Sequence, residues 1–272
     1  MKLAIISGSL LKEINGIENA TEERIKTPFG LPSDNFTSGE IDGLEVVCFN
    51  RHGVSHHIAP HQINYKANMF VLKILDVTHI IAITAVGGIS EKMSPMKWVV
   101  PDQIIDYTHG RIHTYNDAND AEVQHIDFSY PFDAQLNKQL VAAIEMILDE
   151  NVGRTYESEA TYGVTQGPRL ETVAEINRMQ RDGCNIVGMT AMPEAAFARE
   201  LDMKYSMLSL VVNWAAGKGG VNKSVGESVD DVINRPAPAI VSMDEIRQRI
   251  LEGNETAEKI IHNVIPILKS IE

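Results

Sequence analysis

Arg51 to Asn64 carries a guanidinium and four imidazoles, at His52, His56, His57 and His61, in one short run. The spacing imitates successive helical turns, but Gly53 and Pro60 interrupt a continuous helix, and no Cys or carboxylate joins the cluster to complete a zinc-type ligand set. No metal site is expected. The better use of Arg51 and His52 is charge-assisted hydrogen bonding to an oxyanion, with the plain alternative that Arg51 pairs with one of the chain's many carboxylates. A second group of candidates spans Thr161 to Asn213. There an apolar strand runs into Gly167-Pro168 and a helix, a second strand ends at Gly188-Met189-Thr190, and a third, Leu208 to Asn213, closes on an amide. Ligands of open α/β sheets sit beyond the carboxyl ends of the strands. Glu171, Met189, Thr190 and Asn213 all fall at such ends and are expected to converge on one small-molecule pocket.

The elements that must position these groups follow from periodicity and turn chemistry. Lys2 to Ile6 is a buried strand ending in Ser7-Gly8-Ser9, which either offers hydroxyls and backbone N–H groups to an anion or is a plain Ser/Gly turn. Leu44 to Asn50 is a strand entered through the hairpin turn Ile41-Asp42-Gly43 and leading directly into Arg51. Pro60 to Leu75 predicts a helix, His79 to Thr84 a strand, and Ala85-Val86-Gly87-Gly88 a tight turn whose glycines permit positive φ and let amides face a ligand. Val99 to Asp106 predicts a further strand and Tyr107 to Pro131 an extended loop over the pocket or at a subunit contact. Helices are expected over Phe132 to Asn151, Leu170 to Asp182 and Met192 to Leu201. Residues 216–239 turn to Gly, Lys, Ser, Asp, Asn and Pro, the composition of a flexible insertion or lid. A long last helix starts at Ser242, with Glu245 completing a capping box, and runs to about Ser270. The fold class is α/β: a single domain over residues 1–272, with a mixed twisted sheet flanked by helices.

Composition narrows the function. With 272 residues, 44% of them hydrophobic, the chain can bury a large core. Its formal charge of -13, from 24 Lys plus Arg against 37 Asp plus Glu, argues against nucleic acid as a partner, since counterion release needs clustered cations. No apolar run reaches the roughly 20 residues of a membrane span, and the apolar start, Met1 to Ser9, is too short for a secretory leader. Cys48 and Cys184 lie far apart without metal or disulfide-framework spacing, so a reducing cytoplasm is expected. Ser9, Arg51, His52, Thr84 and Thr190 together describe an anion cradle beside an amide, a carboxylate and apolar walls. Without a nucleophile elbow or paired carboxylates, a mechanism lacking a covalent nucleophile fits, such as attack by bound phosphate on a glycosidic carbon.

Six segments in collinear order carry a family resemblance: Ile5-Ile6-Ser7-Gly8-Ser9, Arg51-His52-Gly53, Ile63-Asn64-Tyr65 with Ala67-Asn68, Thr84-Ala85-Val86-Gly87-Gly88, Gln166-Gly167-Pro168-Arg169, and Gly188-Met189-Thr190 through Pro193-Glu194. The chain resembles the trimeric purine nucleoside phosphorylase and methylthioadenosine phosphorylase family. The resemblance implies a homotrimer of nucleoside phosphorylase fold that cleaves a purine nucleoside reversibly. Inorganic phosphate is the co-substrate, and no metal or organic cofactor is needed. It assigns phosphate to Ser9, Arg51, His52, Thr84, Ala85 and Thr190, the ribose to Met189, and the sugar's neighbourhood to His56 and His125, the latter from an adjoining subunit. Asn213 and His52 take catalytic roles, and Leu170, Glu171 and Ala215 frame the base. Two positions depart from the pattern: Leu10 replaces a glycine, and Leu170 an aromatic residue.

Asn213-Trp214-Ala215 stands where adenine-preferring members carry acids. An amide can donate to a 6-keto oxygen while accepting from N7-H, and Glu171 can accept from N1-H. Met243 and Ile246 align with aliphatic contacts to a 5'-thioether, although Arg247 departs from that pattern. Together these features are most similar to members acting on S-methyl-5'-thioinosine. Methylthioadenosine phosphorylase and a general 6-oxopurine nucleoside phosphorylase are the alternatives. A nucleosidase using water, and a non-catalytic nucleoside-binding protein, are rivals of other classes.

Overall fold

A computed structural model describes residues 1–11, 13–116, 123–148, 156–219 and 241–270. Its centre is β5 (His79–Gly88), the strand on which the sheet turns. Along its first half β5 pairs in parallel with β1 (Leu3–Ser7), which in turn pairs in parallel with β4 (Leu44–Asn50). Along its whole length the other edge pairs in parallel with β11 (Lys204–Trp214). At its far end Gly87 and Gly88 pair instead with β10 (Ile186–Gly188), and this contact is antiparallel. Next to β10 follow β9 (Thr161–Val164) and β7 (Gln103–Asp106), both parallel. A meander of β2 (Glu18–Glu23) and β3 (Phe36–Ile41) extends the β4 edge, and the two-residue strands β6 (Trp98–Val99) and β8 (Tyr156–Glu157) extend β11. The sheet is therefore mixed, as the sequence predicts.

Alternation along the central strands divides the core in two. Ala4, Ile6, Ile80, Ala82, Met207 and Val211 face one side, where α1 (Tyr65–Ile74) and α4 (Ala191–Glu200) bury Met69, Leu72, Ala195 and Phe197. Leu3, Ile5, Ile81, Ile83, Leu208 and Leu210 face the other, against Leu140 and Ile144 of α2 (Ala134–Leu148) and Ile260, Ile261 and Val264 of α5 (Met243–Lys269). A strand buried on both faces reads as a continuous apolar run, and each such fully buried Leu or Ile contributes about 1.5–3 kcal/mol. Another helix, α3 (Val173–Arg181), places Ile176 and Met179 against Val187 and Ala215.

Several expected boundaries shift for local reasons. The Asp42-Gly43 hairpin forms, both residues having positive φ, and Ser242 accepts from the Glu245 backbone at the head of α5. Pro60 to Leu75 is not one helix: Pro60–Gln62 make a 3-10 turn, and α1 starts at Tyr65 behind Asn64, whose side chain caps the Ala67 N–H. Val99 to Asp106 splits into β6 and β7 around Pro101. The tight turn expected at Ala85 to Gly88 is strand throughout, and neither glycine has positive φ. Gly88 is required by proximity instead, since a Cβ there would stand 1.9 Å from the Met93 carbonyl oxygen. Of the expected insertion at 216–239, residues 220–239 lie outside the described residues. Its beginning is pinned to α3, where the Lys218 ammonium donates to Asn177 and Gln180.

Candidate active site

The pairing of β1 with β5 ends at Ile6, level with Ala82, and β10 first meets β5 at Gly87. Between these points the middle of β5 has no neighbour on that edge. A cavity of about 290 Å³ opens there, the scale of one small molecule. Gly8 and Ser9 enter it from the end of β1, Arg51 and His52 from the end of β4, and Met189 and Thr190 from the end of β10. Thr84, Ala85, Val86 and Gly87 form its floor, Asn213 and Ala215 enter from β11, and Leu170 and Glu171 precede α3. Met243, Ile246 and Ile250 of α5 also line it. Every sequence-predicted site residue but one therefore lines a single cavity. The exception is His125, which is exposed and does not line it. The described part of the Tyr107 to Pro131 loop does not line it either, contrary to the expectation of a loop over the pocket.

Arg51 is 1% exposed, and its guanidinium is largely committed. Nε and Nη2 donate to the two Glu194 oxygens at 3.1 Å each, Nη1 to the Ile83 carbonyl at 2.8 Å and Nη2 to the Ile6 carbonyl at 3.4 Å. Of five N–H donors, one on Nη1 remains beside Gly8. Burial opposes the Arg51 charge, and Glu194 more than offsets it. The carboxylate pairing of Arg51, given as the plain alternative, is thus the observed arrangement. Glu194 also accepts from the Tyr205 hydroxyl at 2.8 Å. A buried glutamate among the alanines of α4 was the sequence signal for such a partner.

His52 is a neutral imidazole. Burial, with Arg51 and His56 adding to it against a hydrogen bond to Ile58, pushes its pKa down to about 4. Nδ1 lies 2.8 Å from the Ile58 carbonyl and donates to it, which leaves Nε2 as an acceptor. In this tautomer Nε2 can accept from a proton-bearing oxygen, whereas the expected charge-assisted bond to an oxyanion requires a second ring proton. His56, with positive φ, lies with its ring centroid 4.4 Å from that of His52 and tilted 41° to it, and brings Nε2 to 3.3 Å from the Ser9 hydroxyl. Leu10, in place of the family's glycine, is fully buried in the core shared with α5, and the next residue, Leu11, takes the positive φ. Asn254 of α5 accepts from the Leu11 N–H at 2.9 Å and holds the turn.

Polar groups that sequence reasoning missed stand behind the cradle. Ser209, fully buried on β11, shares a 2.9 Å hydrogen bond with the Thr84 hydroxyl. Thr190, already expected from the sequence, makes no helix-capping bond with its hydroxyl. Beside it lies Tyr162, whose buried hydroxyl lies against Thr190, and burial outweighs that contact to push the Tyr162 pKa up to about 12.

The end of β11 also contributes to the cavity wall. A bulge at Val212 shifts the register just before Asn213, a device that re-aims the following side chain. Arg249 of α5 donates to the bulged Val212 carbonyl at 2.9 Å. One Asn213 N–H is given to the Trp214 carbonyl at 2.7 Å, leaving the second N–H and the amide oxygen for a ligand. Glu171 accepts from the Thr165 hydroxyl at 2.6 Å through one oxygen, leaving the other. Leu170 is 41% exposed and offers apolar area at the rim. Met189 is held against Gly167, whose positive φ and lack of a Cβ admit its sulfur at 2.5 Å from the Cβ position. Among the described residues no group of three or more His, Cys, Asp or Glu could hold a metal ion.

Comparison with known proteins agrees with this architecture. A probable S-methyl-5'-thioinosine phosphorylase of Pseudomonas syringae pv. tomato is 43% identical over 250 residues, 92% of each chain. A 6-oxopurine nucleoside phosphorylase of Pyrococcus furiosus is 40% identical over 234 residues, 84% of this chain and 85% of that one. Among solved structures, a methylthioadenosine phosphorylase sourced from an antarctic soil metagenomic library superposes with a TM-score of 0.84 at 31% identity, covering 98% of this chain and 86% of its own. The profile of the Phosphorylase superfamily matches residues 2–243, and the chain belongs to that family.

Proposed function

We propose that the protein is a pentosyltransferase of the purine nucleoside phosphorylase type that converts S-methyl-5'-thioinosine and phosphate to hypoxanthine and 5-methylthioribose 1-phosphate. The observation that carries this reading is the make-up of one cavity wall, which joins the amide and carboxylate of Asn213 and Glu171, the hydroxyls of Ser9, Thr84 and Thr190 beside Arg51, and the apolar side chains of Met243, Ile246 and Ile250. The relatives named as methylthioinosine and 6-oxopurine phosphorylases support the choice of a 6-keto base. The free N–H of Asn213 donates to O6 and Glu171 accepts from N1-H; when the C1'–N9 bond breaks and its electron pair goes to the base, N7 takes up a proton from solvent, and the Asn213 oxygen then accepts from N7-H.

The Ser9, Thr84 and Thr190 hydroxyls and the last Arg51 N–H would orient phosphate against C1'. Neutral His52 would accept from the phosphate's own hydroxyl, and Met189 lies under the ribose. As the glycosidic bond breaks, Asn213 stabilises charge growing on the departing purine, so catalysis is positioning plus electrostatics. Inorganic phosphate serves as co-substrate, with no metal or organic cofactor. We further propose one domain over 1–272, a homotrimer in which His125 serves a neighbouring subunit's cavity, and a cytoplasmic location, the last supported by two unpaired cysteines.

Initial rates on methylthioinosine, methylthioadenosine, inosine and guanosine, each with and without phosphate, test the proposal. Methylthioinosine should lead, and hypoxanthine release should require phosphate. Release without phosphate would mark a nucleosidase, and binding without release a nucleoside-binding protein.

A further inference from the structure

Arg111 lies outside the cavity, on the long segment between β7 and α2, and half-buried. It nonetheless reaches both chains that carry the cavity's walls. The β9–β10 ladder ends at Val164 and Gly188, with one more bond from the Thr165 N–H to the Gly188 carbonyl at 2.8 Å. Beyond that point the two chains diverge, one toward Leu170 and Glu171 and the other toward Met189 and Thr190.

The Arg111 guanidinium fills the fork. Nη2 donates to the carbonyls of Thr165 at 3.3 Å and Gln166 at 2.8 Å, and Nη1 to those of Met189 at 2.9 Å and Met192 at 2.5 Å. Nε donates to the Gln166 side chain at 3.2 Å, so all five N–H groups have acceptors. The ring of Tyr65 lies 5.6 Å from the guanidinium carbon. Five donors in one plane, shared between two diverging chains, fix a distance and an angle that neither chain sets alone.

We propose that Arg111 is a positioning residue, holding the base-reading chain at Glu171 in register with the sugar-contacting chain at Met189. The inference rests on the purine nucleoside function proposed above. Ser9, His52 and Thr84 sit on elements that Arg111 does not touch, and among the phosphate groups Thr190 is on the clamped segment, between Met189 and Met192, so the effect should fall on the nucleoside more than on phosphate.

Steady-state kinetics of Arg111→Lys and Arg111→Met test it, with circular dichroism to establish folding. Lysine keeps the charge but not the planar fork. Both variants should raise the nucleoside KM by about tenfold or more and lower kcat by about tenfold, while the phosphate KM changes less than about threefold. A merely structural role would reduce the folded fraction, lowering kcat with both KM values unchanged. Unchanged nucleoside KM in either variant overturns the proposal, as does loss of fold in both, which would make Arg111 scaffold. A wild-type enzyme that releases base from no purine nucleoside would instead overturn the function on which the inference rests.

Discussion

Replacing Glu194 by Gln probes the buried pair on which the Arg51 side of the cavity depends. The two side chains are 1% and 2% exposed, so water cannot screen the charge left behind. In the wild type one carboxylate accepts from Arg51 Nε, Arg51 Nη2 and the Tyr205 hydroxyl. An amide has one oxygen and one NH2, so at least one of these donors must face another donor. Removing one member of a buried pair costs about 3–5 kcal/mol, most of it from the uncompensated ion. At about 2–4 °C per kcal/mol for a chain of this size, Tm should fall by about 6–20 °C, read by circular dichroism. The released guanidinium abuts the phosphate cradle, so phosphate should raise the Tm of Glu194→Gln more than that of the wild type. A variant Tm within about 1 °C of wild type, or equal phosphate-induced shifts, would refute the idea that Glu194 holds the Arg51 charge.

Three further outcomes follow from the same geometry. Asn213→Asp removes the donor to a 6-keto oxygen, worth about 1–3 kcal/mol, and should shift the ratio of 6-oxopurine to 6-aminopurine initial rates by about tenfold or more toward adenine nucleosides. An unchanged ratio would mean that Asn213 does not read the base. His52 has a folded-state pKa of about 4, below its unfolded value, so its contribution to stability is present above about pH 6.5 and is lost as pH falls toward 4. In urea unfolding the wild type should lose up to about 1.4 kcal/mol per pH unit more than His52→Asn across that window, and parallel pH profiles would contradict this. Ser209→Ala leaves the Thr84 hydroxyl without its buried partner and should raise the phosphate KM by about fivefold, at a cost of about 1 kcal/mol, with the nucleoside KM unchanged. Equal rises in both KM values would place Ser209 in the scaffold rather than behind the anion.

How much of this was legible in the sequence depends on whether a signal was local. Leu44–Asn50 has the predicted strand boundaries because apolar alternation and an Asp-Gly turn act within a few residues. The start of α5 was equally legible, because Ser242 and Glu245 are neighbours on one turn. β2 was invisible for the opposite reason: Glu18–Glu23 is exposed at every position, and its pairing with Phe36–Ile41 holds it in the sheet. Gly87 and Gly88 misled because glycine marks either a positive φ or a lack of room. Here it is room, and the strand runs on through both to meet β10.

The site divides along the same line. Residues that enter the cavity at strand ends were found, because a strand's carboxyl end can be read from where its apolar run stops. What those residues do was not. Arg51 and Glu194 are 143 positions apart, Thr84 and Ser209 125, and no spacing rule connects them. Their pairing is created by β5, which takes β1 on one edge and β11 on the other, then exchanges β1 for β10 halfway along. That exchange leaves a stretch of β5 unpaired on one edge, from Ile83 to Val86, and Arg51 satisfies the Ile83 carbonyl there. The same gap that needs a donor for its backbone is the space in which a ligand can lie, so Arg51 serves the fold before it serves the anion. Its one remaining N–H, beside Gly8, is what the fold leaves over for chemistry, and a shift in the Glu194 pairing would change how much that is.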